Sequence, residues 1–333
     1  ERWRSYGIAA AFLAPAVLLL VVWIVYPTFH TTYRSFFDRS GDEFVGLDNY
    51  SEIFSQDTLV TALKNNVLWV LFVPAFVTAI GLVFAVLVER VRFSVAFKTI
   101  VFMPMAISLF AAGVIWRVMY EKDPDQGAVN ASIGVVKDSF SNPGTISDAR
   151  PSTEAVEAEP DGTFVFEDVE PGSYRVAIPG SAFAAPFEGY SWLGPSLITP
   201  AIMIAYIWVW AGFSMVVIAA GLAAIPRDLL EAARTDGANE WQVFRRVTVP
   251  LLAPVLTVVF ITMLIYVLKV FDIVIAVAPG SVQDDANVIA LAMWRTSFGG
   301  VRDFGLGSAI AVFLFLLVIP ILALNIRRFR REV

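Results

Sequence analysis

Cysteine is absent from this 333-residue sequence, and histidine occurs once, as His30. Without cysteine the chain cannot form disulfides, zinc-thiolate sites, Fe–S clusters or a cysteine nucleophile. A single histidine cannot supply both partners of a histidine-based metal site. The P-loop pattern G-x-x-x-x-G-K-[ST] is also missing, which excludes ATP hydrolysis of that type by this chain. We therefore expect neither a metal nor a cofactor.

Charged residues are scarce. They make up 16% of the chain and hydrophobic residues 57%, against about 25% and 45–50% in soluble domains. The formal net charge of −6 argues against a nucleic-acid binder, which needs a basic surface. Several apolar runs reach the roughly 20 residues that a helix needs to cross a lipid bilayer. The composition therefore indicates an integral membrane protein.

Six stretches are long and apolar enough to be transmembrane helices. They are Ile8–Tyr26, Val67–Val88, Ile100–Val118, Leu197–Leu222, Leu251–Val277 and Leu306–Ile326. The first run is too long for the apolar part of a signal peptide and is not followed by a small-residue cleavage site, so we interpret it as a retained helix. An even number of spans places both termini on the same side of the membrane.

Basic residues indicate which side that is. Short segments on one side carry Arg2, Arg4, Arg90, Arg92, Lys98, Arg227, Arg234, Arg245, Arg246, Arg327, Arg328, Arg330 and Arg331. Lysine and arginine are enriched in cytoplasmic loops, so we expect a multi-pass protein of the cell membrane with both termini in the cytoplasm. Trp23, Trp69, Trp116 and Trp192 lie near span ends, where interfacial aromatic residues are expected.

A polar segment separates the first three spans from the last three. Residues 141–187 are rich in proline, glycine and acidic residues, and they divide the chain into 1–140 and 188–333. Alternating apolar and polar residues over Thr163–Val169 and Tyr174–Ile178 predict a β-hairpin on the extracytoplasmic side. The segment is interpreted either as a solvated loop with one hairpin or as a docking surface for an external partner.

The cytoplasmic loop between spans four and five, residues 224–250, has the signals of two short helices. Pro226 suits the first turn of a helix, and Gly237 can adopt the left-handed conformation that ends one. Asn239 can cap a second helix over Glu240–Val247. The loop is therefore predicted to be a helix–glycine–helix elbow.

The same loop contains a recognisable pattern. Glu231-Ala232-Ala233 is followed by three residues, Gly237, nine residues and Val247-Thr248-Val249-Pro250. It resembles the "EAA" signature of inner-membrane subunits of binding-protein-dependent ABC importers, with Val247 and Val249 as conservative departures. The resemblance implies that the elbow fits a cleft on a separate ATP-hydrolysing subunit. Glu231 would be the contact, Ala232 and Ala233 would allow close approach, Gly237 would form the turn and Pro250 would begin span five. An ordinary amphipathic loop is the alternative.

Further segments resemble one branch of that family. Phe44–Tyr50, Pro104–Trp116 and Phe304–Ala309 look like carbohydrate importer permeases of the maltose and glycerol-phosphate type, specifically the first permease subunit. Residues 290–331 resemble α-glucoside permeases. Many relatives have a Thr-x-Gly-Gly-Pro-like turn after span five, whereas this chain has Val277–Ser281 there.

The resemblance implies an all-α, six-span permease bundle and a transport function without enzymatic activity. The implied partners are two ATP-binding ABC subunits, a second permease subunit, an extracytoplasmic solute-binding protein and the sugar itself. ATP binding would close the nucleotide subunits and, through the elbow, open the bundle outward. An ion-coupled secondary transporter subunit is the alternative. It should have two similar halves with interrupted helices, and neither is evident in the sequence.

A sugar path needs hydrogen-bonding groups and aromatic faces inside the bundle. Spans four and five supply Tyr206, Trp208, Trp210, Ser214, Tyr266, Lys269 and Asp272. Trp208 and Trp210 lie on different helix faces, so at most one of them is expected to line the path. Ionisable residues within a span are costly and are interpreted as functional by default. Lys269 and Asp272 are three residues apart, near enough to pair on a helix, either as part of the path or as a structural salt bridge.

Overall fold

The structure, a computed structural model, describes residues 2–141, 189–300 and 302–332. Regular secondary structure in these ranges is helical, and one isolated antiparallel bridge joins Phe37 to Phe44. The predicted hairpin, within Thr163–Ile178, lies outside the described residues. The α-helices are α1 Arg2–Leu20, α2 Tyr26–Arg34, α3 Asp48–Glu52, α4 Asp57–Arg90, α5 Ser94–Phe102, α6 Leu109–Met119, α7 Ala128–Ser141, α8 Ile198–Ala223, α9 Arg227–Thr235, α10 Glu240–Val243, α11 Val249–Leu268, α12 Asp272–Val277, α13 Ile289–Phe298 and α14 Phe304–Glu332.

Six membrane crossings are compatible with these helices. Within the described ranges, five helical stretches are long and apolar enough to span a membrane, namely Ala11–Arg34, Asp57–Glu89, Ile198–Ala223, Glu240–Leu268 and Phe304–Ile321. The bent pair of Ser94–Ala106 and Leu109–Met119 supplies a sixth crossing if it counts as one span. The all-α, multi-span architecture predicted from the apolar runs is thus confirmed at this level.

Two of the long helices contain a π turn shortly before a proline. The turn Val21–Val25 lies just before Pro27, and the turn Phe244–Thr248 just before Pro250. In both, the residue before the proline donates its N–H to the carbonyl five residues earlier. Proline has no N–H and its ring crowds the carbonyl of residue i−4, and a π turn accommodates such a site without ending the helix.

The packed core of the bundle lies between α4 and α8. Trp69, Val73 and Val77 of α4 are almost fully buried with Ile202 and Tyr206 of α8 in one apolar cluster. Trp69, which the sequence places near a span end, is only 1% exposed and packs inside the bundle. Helix α4 begins twelve residues before Trp69, so that the indole sits well inside the helix although the apolar run starts beside it.

Span three is broken, contrary to the prediction of one continuous helix over Ile100–Val118. The two segments meet at an angle of 100°. Pro104 cannot donate a hydrogen bond to Ile100, the helix tightens into a 3₁₀ turn, and Ile107 is extended. Ser108 then caps α6, because its Oγ accepts the N–H of Ala111 at 3.1 Å.

Span five is also shorter than predicted. Helix α11 ends at Leu268, and the chain turns at Lys269 before α12 begins at Asp272. The predicted continuous span Leu251–Val277 is therefore wrong in its last third. Asp272 occupies the first turn of the new helix, where a negative charge is favoured by the helix dipole.

Buried asparagines fix the segment that follows span five. The amide of Asn65 in α4 donates to the carbonyls of Asp285 and Asn287 at 2.7 and 2.9 Å. The side-chain oxygen of the neighbouring Asn66 accepts the N–H of Ile289 at 2.7 Å. These bonds satisfy backbone groups at the start of α13, which is what holds an irregular segment inside an apolar bundle.

Residues Val118–Ser191 form a separate compact unit. In its described part, the fully buried Asn130 in α7 donates to the carbonyls of Glu121 and Lys122 at 2.9 and 3.0 Å and accepts the N–H of Tyr190 at 2.9 Å. The side chain of Asn130 therefore connects residues 121–122 to residue 190 by hydrogen bonds.

Candidate coupling loop and sugar path

The first arm of the predicted elbow is α9, which begins directly after Pro226 and ends before Gly237. Gly237 has φ = +87°, the left-handed conformation that glycine adopts without steric penalty. The N–H of Gly237 bonds to Arg234 and that of Ala238 to Ala233, which closes the end of the helix. The predicted glycine turn is thus present.

The second arm begins with the predicted asparagine cap. Asn239 Oδ1 accepts the N–H of Gln242, and Gln242 Oε1 accepts the N–H of Asn239, both at 2.9 Å, which is a reciprocal capping box. Arg234 Nε lies 2.8 Å from Glu240 Oε1 and joins the two arms. This hydrogen bond and the charge of Glu240 raise the pKa of Arg234.

The second arm is not a separate short helix over Glu240–Val247 as predicted. It continues through the π turn into α11, so that Glu240–Leu268 forms one helical stretch. Pro250 lies in the first turn of α11 and does not interrupt it. The elbow is therefore mechanically continuous with span five.

The elbow exposes apolar and charged groups together. Glu231 and Ala232 are exposed and Ala233 is half-buried. Leu229 on the same helix is 47% exposed, and Trp241 on the second arm 66%. Such a mixed, exposed surface on a loop that is well capped internally is typical of a protein–protein contact.

The aromatic residues of the predicted sugar path form a row across three helices. The ring centroids of Trp69 and Tyr206 are 5.3 Å apart, those of Tyr206 and Trp210 6.0 Å, and those of Trp210 and Tyr266 4.8 Å. Trp208 lies on another face and packs against Trp116 at 5.7 Å. The structure thus brings Tyr206 and Tyr266 together through Trp210 and does not bring Trp208 to them.

Burial differs along this set. Tyr206 and Ser214 are 2% and 0% exposed, whereas Trp208 and Tyr266 are 38% and 39% exposed. The hydroxyl of Ser214 is buried and has no hydrogen-bond partner among the residues that the structure describes. Trp69 was absent from the predicted set. The four-residue spacing of Tyr206 and Trp210 places both on one helix face, so Trp210, and not Trp208, joins the row.

Lys269 and Asp272 are not on one helix, and both are exposed. Salt bridges within the described ranges join Arg234 to Glu240 and Arg295 to Asp284, and Lys269 is not paired with Asp272. The predicted intrahelical pair is therefore wrong. The break after Leu268 moves the two side chains out of the i, i+3 relation on which the prediction rested.

We therefore expect Lys269→Met to leave no buried, unpaired carboxylate. Each of Lys269→Met and Asp272→Asn should change the free energy of unfolding by less than about 0.5 kcal/mol, as exposed substitutions usually do. The double variant should equal the sum of the two single variants. Thermal unfolding of the purified complex measures all three variants. A coupling energy above about 1 kcal/mol between the two substitutions would show that Lys269 and Asp272 interact after all.

Comparison with known proteins agrees with this geometry. Residues 77–330 match the family described as binding-protein-dependent transport system inner membrane component. The chain is 38% identical to the osmoprotective compounds uptake permease GgtC of Synechocystis, covering 96% of this chain and 98% of GgtC. It is 36% identical to the α-glucoside transport permease AglF of Rhizobium meliloti, covering 96% and 82%.

A solved structure shares the fold. A chain of a bacterial ABC transporter that imports the polysaccharide alginate superposes with a TM-score of 0.74, covering 99% of both chains at 20% identity. A bacterial alginate ABC transporter has also been solved in complex with an alginate pentasaccharide-bound periplasmic protein. The similarity to ABC permeases does not favour an ion-coupled secondary transporter. The chain belongs to the binding-protein-dependent inner-membrane transport components and is a multi-pass ABC importer permease, not an enzyme.

Proposed function

We propose that the elbow transmits ATP-driven movement from a separate ATP-binding subunit to span five. The continuous helical stretch Glu240–Leu268 carries this proposal. At 1.5 Å per residue its 29 residues measure about 44 Å, enough to reach across a bilayer. A displacement of the elbow therefore moves span five as a rigid unit, since no flexible linker lies between them.

The roles of individual residues follow from their positions. Glu231 and Ala232 are the exposed contact, Ala233 permits close approach, and Gly237 sets the angle between the arms. Pro250 stiffens the start of α11 behind the π turn. The assembly contains two ATP-binding subunits, a second permease subunit and an extracytoplasmic solute-binding protein. Both termini of this chain lie in the cytoplasm.

The substrate proposed for this permease is a neutral α-glucoside. AglF is named for α-glucosides, and a relative from Thermococcus litoralis, 28% identical over 99% of this chain, is named a trehalose/maltose permease. Tyr266, which is 39% exposed at one end of the row Trp69, Tyr206, Trp210 and Tyr266, supports this substrate because an aromatic face can pack against the C–H groups of a pyranose. We assign the first sugar contact to Tyr266, with Tyr206 buried behind it. Ser214, Trp208, Lys269 and Asp272 are further proposed residues of the path.

Reconstitution tests this assignment. The complex with its ATP-binding subunits and loaded binding protein should hydrolyse ATP faster with an α-glucoside than without one. We expect Tyr266→Leu to lower uptake about tenfold, which corresponds to one lost polar or stacking contact of about 1.4 kcal/mol. Tyr266→Phe, which keeps the ring, should lie between the wild type and Tyr266→Leu.

Trp294 is the matched control because it is an aromatic residue of similar exposure, 40%, on α13 and outside the row. Trp294→Leu should leave uptake per folded complex unchanged. Equal losses in Tyr266→Leu and Trp294→Leu would contradict a sugar contact at Tyr266. Stimulation by a β-linked glucoside but not by an α-linked one would contradict the proposed substrate.

A further inference from the structure

The second arm of the elbow contains a pocket that offers only hydrogen-bond donors from its side chains. Its lining residues are Trp241, Gln242, Arg245 and Arg246, which we call the arginine pocket. The oxygen of Gln242 is already occupied by the N–H of Asn239. What remains is the Gln242 amide nitrogen, the indole N–H and two guanidinium groups, all of which donate. A pocket of this composition is suited to an anion.

No carboxylate of the described residues forms an ion pair with the arginine pocket. Among the ion pairs that the structure gives for residues 2–141, 189–300 and 302–332, none includes Arg245 or Arg246. The carboxylate closest to them in sequence, Glu240, is held by Arg234. Two adjacent, exposed guanidinium groups can both bind one phosphate, because each presents donors in a planar fork.

The depth of the pocket decides which anion it meets. Arg246 precedes Leu251, the first residue of the long apolar run, by about 8 Å along the helix axis. A headgroup layer extends roughly 5–8 Å beyond the hydrocarbon on each side of a bilayer. Trp241 packs against Phe244, with ring centroids 5.6 Å apart, and lies about 15 Å before Leu251 along the helix axis, so that it borders the pocket on its aqueous side.

We propose that the arginine pocket binds the phosphate of an anionic membrane phospholipid. The lipid anchors the second arm of the elbow to the membrane surface while α9, with Glu231 and Ala232, stays free for a protein contact. The site is independent of the sugar that is carried. It differs from the coupling contact, which we place on the other arm, so the two can be tested separately.

The test measures phospholipid bound to the full complex after delipidation and re-addition of lipid. Nanodiscs of phosphatidylcholine with or without phosphatidylglycerol serve as probes, and retained lipid is quantified by mass spectrometry. We expect R245Q/R246Q to weaken phosphatidylglycerol retention about tenfold. The control R92Q/K98Q removes the same charge from exposed residues on another segment and should retain lipid like the wild type. W241F keeps the ring, removes one donor and should give a smaller loss.

Three outcomes would overturn the proposal. Equal lipid retention in R245Q/R246Q and R92Q/K98Q would mean that the membrane surface attracts the complex without a site. Displacement of the lipid by inorganic phosphate alone would mean a site for the free ion. Loss of the ATP-binding subunits from R245Q/R246Q in lipid-saturated nanodiscs would mean that the two arginines contact protein. Monodisperse complex from both double variants establishes that they fold.

Discussion

Gly237→Val should uncouple the importer. At φ = +87° a β-branched residue is strained by about 1–3 kcal/mol, and the strain is relieved by opening the elbow. We expect sugar-stimulated ATP hydrolysis and uptake to fall at least tenfold, while the permease still folds, because a Cβ at Gly237 would meet nothing within 4 Å. Uptake and ATPase rates of the reconstituted complex measure the effect.

Two controls separate backbone strain from lost contacts. Asparagine tolerates the left-handed conformation better than other non-glycine residues, so Gly237→Asn should retain more activity than Gly237→Val. Gly280 also has open space around it but no positive φ, and Gly280→Ala should behave like the wild type. Glu231→Ala should weaken association with the ATP-binding subunit without changing the elbow angle. Full uptake in both Gly237→Val and Glu231→Ala would refute a coupling role.

The second large effect is expected at Gly81, where α4 and α8 approach closely. A Cβ on Gly81 would lie 2.5 Å from the Cβ and 2.9 Å from the carbonyl carbon of Ser214. Gly81→Ala therefore forces the two central helices apart. We expect a loss of about 1–3 kcal/mol in the free energy of unfolding, seen as a lower unfolding temperature and a lower yield of intact complex.

A double variant tests the stated cause. Ser214→Gly removes the side chain that an added methyl would strike, so Gly81→Ala/Ser214→Gly should recover part of the loss, leaving the backbone contact unrelieved. Gly280→Ala again serves as the control, with an expected change within about 0.5 kcal/mol. No difference between Gly81→Ala and Gly280→Ala would show that α4 and α8 are not tightly packed there.

The sequence was sufficient where a local residue determines the structure. Apolar length alone predicted the spans, since it reports how much hydrocarbon a helix can cross. Gly237 predicted the end of the first arm and Asn239 the start of the second. A left-handed turn and a helix cap each depend on the residue at that one position. These features need no knowledge of the neighbouring helices.

Where tertiary packing decides, the sequence failed. Pro104 in span three and Lys269 and Asp272 in span five mark the breaks, but the long apolar runs around them favoured continuous spans. Within the bundle, Gly113 of α6 packs so closely on α12 that a Cβ there would lie 2.5 Å from that of Ala276. The false pairing of Lys269 with Asp272 followed from the missed break, and the aromatic row needed the positions of three helices.

The elbow is expected to lie in the cytoplasm and to dock on an ATP-binding subunit. Because the chain has no cysteine, Ala232→Cys introduces a single reactive thiol on the proposed contact. A membrane-impermeant maleimide should label it in inside-out vesicles stripped of the ATP-binding subunit, and rebinding of that subunit should protect it. Labelling from the extracytoplasmic side, or labelling that the ATP-binding subunit leaves unchanged, would contradict the account.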